Sequence, residues 1–345
     1  MEAYREQYHE HFILLTFFSP SGFEIRKNYP GADLVLYMPF DTARNARDFI
    51  ALSTPAIAFF VKYEFWYNYL RFLRDKNVPA LSVSTILRGD QIATRWYGGI
   101  QRKSLRLISH FFTQNEETIE VLRGLGIPSA TLAGDTRFDR VWAIAKAQEP
   151  NAAAASFTEG ANTLIAGSVW PQDLAVLLPA WEKTKKLKLI LAPHEIIEEE
   201  IVQLCERYEG KAIRITEVAE RQDLSAYALL IVDTIGQLSS LYRYADMAWI
   251  GGAYGKGLHN ILEAATFGMP ICFGNRNYRK FAEANDLLDI GAAHLIGTSE
   301  ELQSILLARL SDEVLRKTEG ERAARYVEEK RGATARIMQG INTWL

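Results

Sequence analysis

Between Met247 and Gly274 the chain reads MAWIGGAYGKGLHNILEAATFGMPICFG, and here Gly251, Gly252, Gly255, Gly257, Asn260 and Glu263 have types and spacing suited to chemistry. Glycines at these positions let the backbone turn through positive φ and let a ligand approach closely. A helix beginning at Asn260 would aim free N–H groups and its positive dipole end at the same place, which suits an anion. Asn260 with Glu263 three residues on also fits a capping box, in which Asn260 caps the first turn and Glu263 reaches back to the Asn260 N–H. That arrangement needs no ligand, and spacing alone leaves both readings open. The loop is not a G-x-G-x-x-G fingerprint, and it fails the P-loop pattern because Leu258 follows Gly257 where lysine and then Ser or Thr are required.

The elements that must position these residues are short apolar runs alternating with helical segments. In the second half, Thr163 to Ala166, Leu187 to Ala192, Ala228 to Val232 and Met247 to Ile250 read as strands, with a last one at Ala292 to Ile296. Such continuous runs suit strands buried on both faces of a parallel sheet. The loops after the first four carry Ser168, His194, Gly236 and the glycine stretch, which a parallel sheet would bring to one edge as a ligand crevice. His194 taken alone reads equally as a structural residue. The first half repeats the scheme, with strands at His11 to Phe18, Leu34 to Met38, Ala56 to Val61, Ala80 to Val83 and His110 to Thr113. This alternation predicts an α/β protein with right-handed crossovers.

The first half has its own candidates. Ser19 and Ser21 lie in a Ser-Pro-Ser-Gly turn after the first strand, as a helix cap or a ligand loop. Glu64 stands among Tyr63, Phe65 and Trp66, where burial or Lys62 would tune an acid or base, or where a helix start would favour a carboxylate. Arg95, Arg102, Lys103 and Arg106 alternate with Trp96, Tyr97 and Ile100, which suits an anionic amphipathic surface such as lipid, or a solvated cationic helix face. Asn275 to Phe281 is expected to begin a helix. The alanine-rich stretch from Ala143 to Gly160 is expected to be a linker.

Bulk properties fit this picture. The 345 residues are enough for two ordinary domains, and a net charge of −3 argues against general nucleic-acid binding. The two cysteines, Cys205 and Cys272, suggest neither a disulfide framework nor a zinc site. No apolar run approaches the roughly 18 to 20 residues of a membrane span.

Taken together, the motifs resemble a family. Gly251-Gly252, then Gly257-Leu258-His259-Asn260-Ile261-Leu262-Glu263-Ala264 and Gly268 to Gly274, is similar to the G-G-H-N-x-L-E-P…G-x-P-V-x-F-G signature of 3-deoxy-D-manno-octulosonic acid (Kdo) transferases. Tyr63-Glu64-Phe65-Trp66-Tyr67-Asn68 resembles that family's T-E-x-W-P-N, Gly134-Asp135-Thr136-Arg137-Phe138-Asp139 its G-N-x-K-F-D, and Asp233-Thr234-Ile235-Gly236-Gln237-Leu238 its D-T-x-G-E-L.

The resemblance implies a GT-B fold of two Rossmann-like, doubly wound parallel-sheet domains facing a cleft. Residues 1–145 would form an acceptor-binding domain, 146–160 the linker, 161–320 a CMP-sugar-binding domain, and 321–345 a helix crossing back to the first domain. It implies inverting, metal-independent transfer of Kdo from CMP-Kdo to the lipid A precursor, at the cytoplasmic face of the inner membrane of a Gram-negative bacterium, with no cofactor beyond the donor. The donor would meet Ser168, His194, Gly236, Gly252, His259, Asn260 and Glu263, with Glu263 on the ribose hydroxyls and Asn260 at the phosphate end. Ser19, Ser21, Arg95, Arg102, Lys103 and Arg137 would face the acceptor, and Glu64 would orient it.

Two departures qualify the match. The family's general-base glutamate lies in an S-x-G-E segment between its first strand and first helix. No such segment occurs here, so the expectation is a chain shortened at its start, with little transferase activity by itself. The family's P-R-H is altered to Pro193-His194-Glu195. The alternatives are another GT-B enzyme, such as a sugar-nucleotide epimerase or a different glycosyltransferase, and a nucleotide-sugar binder without catalysis.

Overall fold

A computed structural model describes residues 1–89, 98–147, 150–221, 223–224 and 226–345, and of Glu220 only the backbone. It divides into two compact units, Met1–Asp139 with Arg331–Leu345, and Arg140–Lys330. Both are α/β, and every strand pairing in them is parallel.

The first unit runs α1 (Glu2–Gln7), β1 (Leu14–Phe17), α2 (Pro20–Arg26), β2 (Leu34–Tyr37), α3 (Ala43–Ser53), β3 (Ala58–Val61), α4 (Tyr67–Asp75), β4 (Ala80–Thr85), α5 (Gly99–Leu105), β5 (His110–Thr113), α6 (Glu116–Gly124), β6 (Ala130–Leu132) and the start of α7 (Thr136–Ala147). Its strands form two sheets, β1-β2 and β3-β4-β5-β6. The first strand was expected to be buried on both faces. It is shorter than the apolar run, it pairs only with β2, and all four of its residues are half-buried. In β2, Leu34 is 43% exposed. The core lies on the four-stranded sheet, where Phe111, Leu81, Leu70 and Leu122 are buried.

The second unit continues with α8 (Ala152–Thr158), β7 (Asn162–Val169), α9 (Pro171–Lys183), β8 (Leu187–Pro193), α10 (Glu198–Arg207), β9 (Ala212–Arg214), β10 (Leu229–Ile231), α11 (Leu238–Leu241), β11 (Met247–Ile250), α12 (Ile261–Thr266), β12 (Ile271–Gly274), α13 (Ala282–Asp289), β13 (Ala293–Ile296), α14 (Ser299–Ser311) and α15 (Glu313–Glu329). Its seven strands are ordered β13-β12-β11-β7-β8-β10-β9. β10, β11 and β12 are buried at every residue, as strands covered by helices on both faces must be. The chain enters the sheet at β7 and then winds to either side of it. The topological switch point therefore falls between β7 and β11, where ligands of doubly wound sheets sit.

The alanine-rich stretch expected as a linker is helical. α7 continues through it to Ala147, and Asn151 caps α8 by accepting from Ala154 N at 3.0 Å. Alanine is the strongest helix former, and the buried Ala154 and Phe157 anchor α8. The last helix, α16 (Ala333–Ile341), belongs to the first unit, with Ile337 and Ile341 in a cluster around Leu81 and Phe112.

Candidate functional site

The switch point is held together by one buried carboxylate. Asp173, at the third position of α9, is 1% exposed. Its Oδ2 accepts from Trp170 N and from Gly252 N, both at 2.9 Å, and so ties the loop after β7 to the loop after β11. Its Oδ1 and the indole N–H of buried Trp249 close no hydrogen bond. Burial raises the Asp173 carboxyl above its ordinary value, against the two backbone donors and the nearby Trp249 indole, which draw it down.

The glycines here are demanded by contact. A Cβ on Gly251 would lie 2.3 Å from Ser168 O, and one on Gly252, at φ +93°, would lie 2.4 Å from Gly257 O. On the β7 side the ladder with β8 shifts register between Ala166 and Val169, and Ser168 takes φ +54°, an uncommon conformation for a residue with a side chain.

Above this frame three rings stack. His194 lies 4.3 Å from Trp170 and 4.4 Å from His259, centroid to centroid, and Trp170 Nε1 donates to His259 Nε2 at 3.0 Å. That bond makes Nε2 an acceptor and the imidazole neutral, with its proton on Nδ1. Burial, and then the neighbouring His194, hold the His259 pKa below its ordinary value.

On the far side of the glycine loop, Asn260 and Glu263 depart from the capping box. Asn260 accepts from Leu262 N at 3.3 Å, a weak cap. Glu263 does not reach back to the Asn260 N–H. Its Oε1 instead accepts from the Asn260 side-chain amide at 2.9 Å, and its Oε2 from Ser239 Oγ at 2.8 Å. α12 is only six residues long, so its dipole is small, and an anion here would rely on loop N–H groups and side chains. Gly236, exposed at φ +90°, opens the turn into α11, which delivers Ser239.

Ser168, His194, Gly252 and His259 thus gather around Asp173 and Trp170, while Asn260, Glu263 and the Gly236 turn gather around Ser239. Trp170, Asp173 and Ser239 escaped the sequence reading. Asp173 had a visible signal, since an acidic residue two positions after Pro171 suits the third position of a helix.

With this geometry in hand, comparison with known proteins shows what the chain is similar to. Residues 1–140 match the family model described as 3-deoxy-D-manno-octulosonic-acid transferase (kdotransferase). The 3-deoxy-D-manno-octulosonic acid transferase of Aquifex aeolicus is 27% identical over 317 residues, covering 89% of this chain and 81% of the relative. That of Bordetella pertussis is 24% identical over 324 residues, covering 90% and 74%. Over most of its length the chain is similar to Kdo transferases, which are glycosyltransferases. Its fold is of the GT-B type. A solved putative UDP-N-acetylglucosamine 2-epimerase from Listeria monocytogenes superposes with a TM-score of 0.63 at 13% identity, over 99% of this chain and 91% of that one.

In the first unit the candidates are more dispersed. Ser19 Oγ and Ser21 Oγ lie 2.8 Å apart, with Ser19 at the N-cap of α2 but making no side-chain cap. Glu64 is exposed in the loop after β3. Four residues on, Asn68 N donates to Asp41 Oδ1 at 3.1 Å, so Asp41 caps α4 from a distant loop, a role the sequence did not suggest. Arg102 and Lys103 occupy the last turn of α5, and Arg95 lies outside the described residues. Arg137 Nε and Nη2 grip Asp135 Oδ2 at 2.8 and 2.7 Å, so this cation already has a carboxylate partner. In the same motif Asp139 is structural, accepting from Gly332 N and Thr334 N at 2.6 and 2.7 Å to start α16. Among the described residues no cluster of His, Cys, Asp and Glu could hold a metal ion, and no helix is long and apolar enough to cross a membrane.

Proposed function

We propose that this chain transfers Kdo from CMP-Kdo to the lipid A precursor of lipopolysaccharide, with inversion and without a metal, at the cytoplasmic face of the inner membrane of a Gram-negative bacterium. The observation that carries the reading is the pose of Glu263. Its carboxylate does not bond the Asn260 backbone N–H but is held by Ser239 and the Asn260 side chain beside the glycine loop. A carboxylate so fixed offers acceptor lone pairs to the vicinal hydroxyls of a ribose. The glycine-loop backbone and Asn260 stabilise the charge that develops on the CMP phosphate as it leaves, a task for pre-oriented donors. His194 and His259 line the approach beside Ser168, and the Gly236 turn lies on the Glu263 side. In the first unit, Ser19, Ser21, Arg102, Lys103 and Arg137 face the phosphorylated acceptor, and Glu64 orients it.

Calorimetry with CMP on the Glu263→Ala variant tests the reading. Loss of two charge-assisted hydrogen bonds lowers CMP affinity by at least about tenfold with the fold intact. Unchanged CMP affinity, with stability lowered by about 1 kcal/mol as for a lost cap, would sink it.

A further inference from the structure

Beside the glycine loop lies an open pocket of about 300 Å³ lined by Gly255, Lys256, Arg276, Asn277, Arg279 and Lys280. Its walls are the glycine loop and the segment after β12, and the two are stitched together by backbone. Asn277 N donates to Ala253 O at 2.8 Å, and Asn277 Nδ2 to Gly255 O at 2.6 Å. Arg276, Arg279 and Lys280 therefore extend from a strand-end turn whose course is set by the glycine loop.

Three of the four cations are held by rings. Lys256 Nζ sits 4.6 Å from the Trp170 ring centroid, Arg276 Cζ 5.8 Å from Tyr254, and Lys280 Nζ 5.2 Å from Phe281. Such contacts fix a side chain and leave its charge in place. Among the described residues no carboxylate pairs with Lys256, Arg276 or Arg279, although ion pairs are plentiful elsewhere in the second unit. Like charges gathered around one concavity repel, and an anion between them relieves that repulsion. Two guanidinium forks beside two ammonium groups match the oxygens of a phosphate better than a single carboxylate.

We propose that this pocket is a second anion site, built for a phosphate monoester, which shares the glycine loop with the Glu263 region but none of the side chains that hold Glu263. It stands on its own geometry and does not depend on CMP being the nucleotide bound next door. The same chemistry is offered by a soluble sugar phosphate and by the head group of a membrane lipid.

The test uses the double variant Arg276→Gln/Arg279→Gln, whose side chains are exposed and whose folding is checked by its thermal transition. Glucose 1-phosphate, with glucose as the neutral control, is titrated into both proteins at low ionic strength. In parallel, both are sedimented with phosphatidylcholine vesicles with and without phosphatidic acid. The proposal expects binding of a phosphate monoester in at least one arm, weakened about tenfold or more in the variant, while CMP affinity stays within about twofold. Binding in the sugar arm alone identifies a soluble ligand. Binding to phosphatidic acid vesicles alone identifies a lipid head group. No binding in either arm, binding unmoved by the variant, or equal binding of glucose would overturn the proposal. Failure of CMP to bind while the phosphate arm persists would remove the donor reading and leave this site standing.

Discussion

At the scale of single residues, the site depends on side chains whose environments set their protonation. His259 receives the Trp170 indole N–H and sits against His194, and its pKa is lowered by burial first and by that neighbour second. A histidine depressed in the fold takes up its proton more readily in the unfolded chain. The stability linked to it is present above about pH 6.5 and is lost as pH falls from there through the folded value. An NMR titration of the His259 ring should give a midpoint below about 6.5, moving upward in His194→Ala as the neighbouring charge is removed. A midpoint at or above that value in the folded protein would contradict the stacked, neutral arrangement. Sequence reading found His194 because it follows an apolar run, and His259 through the family resemblance. It missed Trp170 and Asp173 because their roles come from a pairing across the switch point, between residues 79 apart in the case of Asp173 and Gly252. The capping box at Asn260 and Glu263 was spaced correctly, yet Ser239 diverts the carboxylate from a separate element.

At the scale of elements, the second unit was legible because its central strands are continuous apolar runs. β6, β9 and β12 went unread, the first two because three residues give no period to detect. The segment after β12 looked like a helix start and is a turn, since Asn277 is committed to the glycine loop and the helix begins only at Ala282. The two-stranded β1-β2 sheet is the weakest element. Parallel strands are ordinarily covered on both faces, whereas here apolar side chains such as Leu34 are partly in water. Its amides should therefore open at lower free energy. Hydrogen exchange followed by mass spectrometry should show residues 14–17 and 34–37 exchanging at least about tenfold faster than 164–166 and 189–191. Equal protection in the two regions would contradict this ranking.

At the scale of the whole molecule, the similarity to Kdo transferases rests on motifs in fixed order through two parallel-sheet units, and the relatives' alignments reach over both. The fold alone leaves the nucleotide open, because GT-B-type neighbours include epimerases of a UDP-sugar. Donor choice is therefore the point on which the functional account stands. Calorimetric titration of this chain with CMP, UDP and GDP tests it most directly. The account predicts that CMP binds at least about tenfold more tightly than either competitor, a difference of about 1.4 kcal/mol or more. Preference for UDP or GDP, or no discrimination among the three, would contradict it.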